Sequence, residues 1–375
     1  MKFARLLLIL ACLILQSGCQ LIAKWPRSAE SATSSNSQQK AQSNRQAPKE
    51  PKRGPEYDAY AGEVTQQWAK NNYEWLEGEA RRLRSTKERL PGGYWKLRVL
   101  YQSIEDAVDA DDPDDAWKEH IARIEKWTTQ HPTSVMPRII LADVWLSYAW
   151  KARGPGYANQ VERQNWAPFR ERLARTNEIL EEAISVEEKC PEWYLTALLA
   201  ARGQGGDREA FEELFEQGVA LEPNYYYLHN AKAFFLLPRW YGEPGEWEQF
   251  AEDAANKIGG EQGDVILFAI YGFMMANSNL NFMDTHHAIA PRLLAGFRTI
   301  DKLYGSSPQR LNQACFISFF ANDKKMPAEF MKRIGNDSDL TVWRDDTTFN
   351  IYRQEALMRI GELPRYRKNA GDQKR

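Results

Sequence analysis

Cysteine and histidine are scarce in this chain of 375 residues, with four of the first and five of the second. Cys12 and Cys19 lie near the start, which leaves Cys190 and Cys315 for the rest. No CxxC and no nucleophilic thiol context occur, so thiol redox chemistry is excluded as the main activity. Cys190 and Cys315 are either one disulfide or two small packed side chains. Adjacent His286 and His287, after Asp284, point about 100° apart on a helix and cannot easily grip one ion, since a two-histidine metal helix wants a spacing of four. Asp284 reads as the cap of their helix, and His120 and His229 stand alone. No metal or cofactor is therefore expected. No apolar run reaches the roughly twenty residues of a spanning helix. An excess of either charge is absent as well. The net charge is −2, and nothing resembles the basic face that nucleic acid requires. GxSxG, P-loop and glycine-rich dinucleotide turns are all missing. Strand-like alternation is nearly absent.

What the chain does have begins at its first residues. Lys2 and Arg5 precede an apolar stretch from Leu6 to Leu15, and Ser17-Gly18-Cys19-Gln20 follows. A basic start, a short apolar core and small residues form the pattern of a cleaved secretory signal. The segment resembles a bacterial lipoprotein signal, with Gln16 in place of that family's usual Leu. The resemblance implies that Cys19 is acylated and becomes the first residue of the mature chain. Cys12 fits the local pattern but leaves too short an apolar core, and an ordinary signal peptide with an incidental cysteine is the remaining alternative. Two or more acyl chains anchor stably, at about 0.8 kcal/mol per buried methylene. Gln20 after Cys19, with no Asp there, resembles the pattern passed on to the outer membrane, facing the periplasm. The alternatives are secretion or an inner-membrane anchor. Loss of Lys2 and Arg5 with the signal takes the net charge from −2 to −4.

Residues 1–18 are thus the expected signal and 19–55 a tether. The tether is rich in Ser, Gln, Lys and Pro without apolar period, and such composition buries too little surface to fold. As a coil of about 35 residues it spans roughly 30–35 Å. Residues 56–367 make a helical domain, and 368–375 a disordered tail. In the domain, Trp117, Ile121, Ile124 and Trp127 recur at helical spacing, as do Leu173, Leu180 and Ile184. Pro132, Pro191, Pro223, Gly259-Gly260 and Pro308 punctuate helix ends. The acidic run Asp109 to Asp115 reads as a loop and helix start, since its Pro and its missing Gly and Glu break the calcium-loop pattern.

One window is specific. Trp193 to Ala197 opens a helix, Gly203 to Asp207 turns, and Phe211 to Pro223 returns. This resembles a tetratricopeptide unit, with Ala197 and Gly218 at the small positions and Phe215 and Pro223 also matching, although Phe211 replaces a usual small residue. The predicted fold is all-α: a degenerate tetratricopeptide-like repeat, an α-solenoid of antiparallel helix pairs with ten to fourteen helices. Gly92-Gly93-Tyr94-Trp95-Lys96-Leu97, Trp145 to Gly154, and Pro238 to Trp247 together resemble an uncharacterised bacterial domain family with tetratricopeptide-like helices, over about residues 81–303. That resemblance supports the fold and implies no activity.

Two places are candidates for contact. The segment around Arg239, Trp240, Tyr241, Glu243 and Trp247 breaks the helical pattern between Pro238 and Pro244. Arg and Trp favour contact hot spots. The competing reading is a loop covering the core edge, with Arg239 paired to Glu243 or Glu246. Trp145, Tyr148, Trp150 and Arg153 form a second aromatic cluster, either core packing or a stacking platform for a sugar or peptide. The expectation is a protein-interaction or scaffold module of the cell envelope that binds a protein or peptide segment. The alternative is an envelope glycan or peptide hydrolase or lyase, which needs paired carboxyl groups, one of them held neutral.

Overall fold

The computed structural model describes residues 50–186, 190–205, 207–277, 288–321 and 323–363. Cys19, Asp284, His286, His287 and the 368–375 tail lie outside them. From Pro51 onward the described residues form one compact unit. The expected boundary at 55 moves back because Lys52 is tied down: its N–H donates to Asp339 Oδ2 (2.9 Å), and its carbonyl accepts from the Gln309 N–H (2.8 Å).

The fold is all-α. Helices α1 (Pro55–Ala69) and α2 (Tyr73–Thr86) lead to a two-residue hairpin, β1 (Arg89–Leu90) and β2 (Tyr94–Trp95), pairing Arg89 with Trp95 and Leu90 with Tyr94. Then come α3 (Lys96–Glu105), α4 (Asp114–Gln130), α5 (Met136–Arg153), α6 (Trp166–Ile184), α7 (Pro191–Gly203), α8 (Arg208–Leu221), α9 (Tyr226–Phe235), α10 (Glu246–Ile258) and α11 (Gly260–Asn277). The chain ends with α12 (Ala290–Tyr304), α13 (Pro308–Ser318), α14 (Met326–Ile334), α15 (Leu340–Trp343) and α16 (Asp346–Arg359). Sixteen helices among the described residues exceed the ten to fourteen expected, because four more, α13 to α16, follow position 306.

Local chemistry explains many of the ends. Proline opens α1, α5, α7, α12, α13 and α14, where its missing N–H costs nothing. Asn72, Asp207, Ser307, Asp339 and Asp345 accept hydrogen bonds from first-turn N–H groups. The Asp109 carboxylate accepts from the N–H groups of Asp111 and Asp112, just before α4 starts at Asp114. Trp117, Ile121, Ile124 and Trp127 are all buried, as are Leu173 and Leu180; Ile184, at the end of α6, stays exposed.

Packing alternates along the chain. Helices α3, α5, α7, α9 and α11 each touch the next in that series, while α6, α8 and α10 pack between successive members and α4 packs on α5. Helix α5 is buried nearly all round, as an inner helix must be. Gly218 of α8 makes one of these contacts possible: a Cβ there would lie 3.0 Å from Tyr194 Cβ and 3.1 Å from Leu228. Phe211 stacks on Phe235 at 3.8 Å, so the larger residue fills a gap between α8 and α9. The hairpin before α3 meets the chain after α12. Gly92 N–H donates to Gly305 O (2.8 Å), and Tyr94 Oη donates to Gln309 Oε1 (2.7 Å).

Cys190 and Cys315 are free and buried. The first lies beside Tyr101 Oη (3.6 Å) and the second near Pro327 O (3.9 Å), so they are packed small residues and not a disulfide. Among the described residues no helix is long and apolar enough to cross a membrane.

Candidate functional site

The segment after α9 folds back over the end of its own helix. Trp240 N–H donates to Leu237 O (2.8 Å) and Tyr241 N–H to Phe235 O (3.1 Å). A Cβ on Gly242 would sit 2.0 Å from Leu236 O, so only glycine permits this return. The sequence candidates then separate by role. Tyr241 stacks on Phe235 (4.6 Å) and donates to Arg202 O (3.0 Å). Trp247 is buried 5.1 Å from Tyr271. Glu243 N–H donates to Glu246 Oε2 (2.9 Å), and Glu246 pairs with Arg208. Arg239 bonds neither glutamate: it donates to Asn277 O (2.9 Å) and lies 4.8 Å over the Phe234 ring. Pro244 precedes α10 by two residues, with Gly245 at the N-cap in a left-handed turn.

The second aromatic cluster also divides. Tyr148 is buried, stacked on Trp117 at 5.1 Å with the Arg172 guanidinium 3.2 Å from its centroid. Trp145 packs 6.0 Å from it. Two residues on, helical rotation sends Trp150 elsewhere: 5.1 Å from Phe169 and 5.9 Å from Trp240, edge to face. Arg153 lies 5.3 Å over Trp150 and 5.6 Å over Trp166, and donates to the carbonyls of Gly154 and Gly156.

The two sequence candidates therefore meet through Trp150 and Trp240, and the residue between them is Arg202. Its guanidinium carbon is 4.8 Å from the Phe234 centroid, 5.3 Å from Trp240 and 5.7 Å from Trp150. Its Nε is sealed from solvent without a hydrogen-bond partner, as is Trp240 Nε1, while Arg202 as a whole keeps partial exposure. No carboxylate pairs with it among the described residues. Burial, then repulsion from Arg239, pulls its pKa down to about 10. Sequence reading passed over Arg202, because an arginine in the last turn of a helix ordinarily serves the helix dipole.

A second polar group also went unread. Arg98 of α3 bridges Glu105 Oε2 (2.9 Å) and Glu192 Oε2 (2.8 Å). Tyr225 Oη donates to Glu192, and Thr196 Oγ1 to Asp143 Oδ1 (3.4 Å). Burial lifts the Asp143 carboxyl to about 6 against the pull of Arg98, and lifts Glu105 well above the usual range. All lie on or beside the inner helices α3, α5, α7 and α9. The available signal was a lone Asp143 inside the apolar run Ile139 to Val144.

Among the described residues no cluster of three or more His, Cys, Asp or Glu can hold a metal. His229 Nε2 bonds Pro223 O (2.9 Å), and burial lowers both His120 and His229 to about 4, which keeps them neutral. The Arg202 corner offers hydrogen-bond donors, which suit an electron-rich group, and ring faces, which suit an apolar body. What fold and site define is an all-α protein with a cationic, aromatic corner. No known protein family, curated protein or solved structure matches the chain.

Proposed function

We propose that the protein is a lipid-anchored, tetratricopeptide-like helical module that binds an envelope protein, or a peptide segment of one, at the outer membrane. Cys19 carries the lipid in this reading, and the residues up to about Pro51 space the folded part from the bilayer. The repeat reading is supported by the alternating helix contacts and by the close approach at Gly218. The observation that carries the binding reading is the convergence of two sequence-distant aromatic segments on Arg202, beside the partly exposed Trp150 and Trp240 and the exposed Arg239.

The anchor is tested by metabolic labelling with an alkynyl fatty acid in a Gram-negative host. Label should enter the wild-type chain and be lost in Cys19→Ser; equal labelling of both removes Cys19 as the acylated residue. Binding is tested by crosslinking in intact cells with mass spectrometry, comparing wild type with Arg239→Gln combined with Trp240→Phe. Partners should diminish severalfold in the variant. An unchanged partner set at unchanged stability removes this corner as the contact.

The second reading, an envelope glycan or peptide hydrolase or lyase, draws on Glu105 and Asp143, two carboxyls kept toward the neutral form. Their burial beside Arg98 equally suits an internal tie between helices. Incubation of the purified protein with cell-wall sacculi separates the readings, since released muropeptides would replace binding by catalysis.

A further inference from the structure

The Arg202 corner has a chemistry more specific than a contact surface. Three aromatic rings lie around the Arg202 guanidinium and its Nε is sealed from solvent, which leaves the terminal Nη donors as the part still able to bond. Arg239 approaches the same Phe234 ring at the same 4.8 Å, so the two cations lie less than about 10 Å apart, where like charges repel. Trp240 has an unpartnered indole N–H that is sealed from solvent and adds its partly exposed ring. Arg153 lies 5.3 Å from the Trp150 ring. Every unsatisfied polar group identified at the corner is a donor. Among the described residues no counter-ion faces this partly buried cation, and cation–π contacts return only about 0.5–2 kcal/mol each. An anion entering the corner would relieve both the desolvation and the repulsion.

We propose, resting on the binding reading above, that the corner formed by Arg202, Arg239 and Trp240 is an oxyanion site. It takes a carboxylate or phosphate group carried on a planar apolar body. The planar fork of Arg202 meets the oxygens, and the partly exposed rings of Trp150 and Trp240 take the body. A cation is repelled by Arg202 and Arg239, and a neutral ligand leaves the charge of Arg202 uncompensated.

The test uses the full chain in detergent micelles, followed by tryptophan fluorescence and calorimetry. The probes are 3-phenylpropionate, phenyl phosphate and inorganic phosphate, with 3-phenylpropanamide as the neutral control. Both aromatic anions should bind saturably, about tenfold or more tighter than the amide. Inorganic phosphate should bind more weakly than phenyl phosphate, and the tighter of the two aromatic anions identifies the source of the oxyanion. Arg202→Gln should lose about tenfold or more in affinity without a lower melting temperature. Arg202→Lys should retain part of it, having the charge without the fork. Failure of both anions to bind, equal binding of the amide, or unchanged binding in Arg202→Gln overturns the proposal. Loss of crosslinked partners in Arg202→Gln without anion binding would sink this inference and leave the binding function standing. Anion binding with unchanged partners would do the reverse.

Discussion

Arg98 and Arg202 are both enclosed arginines on inner helices, in opposite company. Arg98 lies among Glu105, Glu192 and Asp143, and their charges hold its pKa well above the ordinary value despite burial. Arg202 lies among three rings and a second arginine, and its pKa falls. The first arginine is consumed by the fold, because α3 and α7 share its ion pairs. The second is left over, and a left-over buried charge is the better pointer to a ligand.

The comparison breaks most visibly on deletion. Arg98→Met strands buried carboxylates and should cost about 3–5 kcal/mol in urea unfolding, whereas Arg202→Met should be neutral or stabilising. A comparable loss at both would mean that Arg202 is structural as well. Next in size is Gly242→Ala, where the new Cβ meets Leu236 O; strain should lower stability by about 2–4 kcal/mol and displace Trp240. Trp240 fluorescence and denaturation report this together.

The ionic side also has a pH signature. The native Asp143 carboxyl titrates at about 6, above its unfolded value, so the native state holds the proton more tightly. This contribution to stability is present below about pH 4 and is lost as pH rises through 6. Asp143→Asn should remove that slope and raise stability at pH 7.5 by about 1–3 kcal/mol. An unaltered pH profile would mean that Asp143 ionises freely. The smallest effect belongs to Tyr241→Phe, which removes only the bond to Arg202 O and should cost about 1 kcal/mol by thermal unfolding.

Much of the fold was legible because helical burial is periodic. Trp117, Ile121, Ile124 and Trp127 announced α4, and Pro191 and Pro308, read as ending the runs before them, open α7 and α13. Tyr241 and Trp247 drew notice as contact residues but are largely spent on packing, since aromatic composition alone does not separate a lip from a core edge. Arg239 could not be placed by neighbours in sequence, because its acceptor, Asn277, is on α11.

Local pattern alone therefore determined helix type, spacing and many ends, since these depend on residues within a turn or two of each other. Which arginine meets carboxylates and which meets rings was decided by the stacking of α3, α5, α7 and α9. That stacking brings Trp150 to Trp240 and Arg98 to Glu192 across about ninety residues of chain. A charge is stabilised or stranded by whatever lies within a few ångströms, and only the tertiary structure sets that distance.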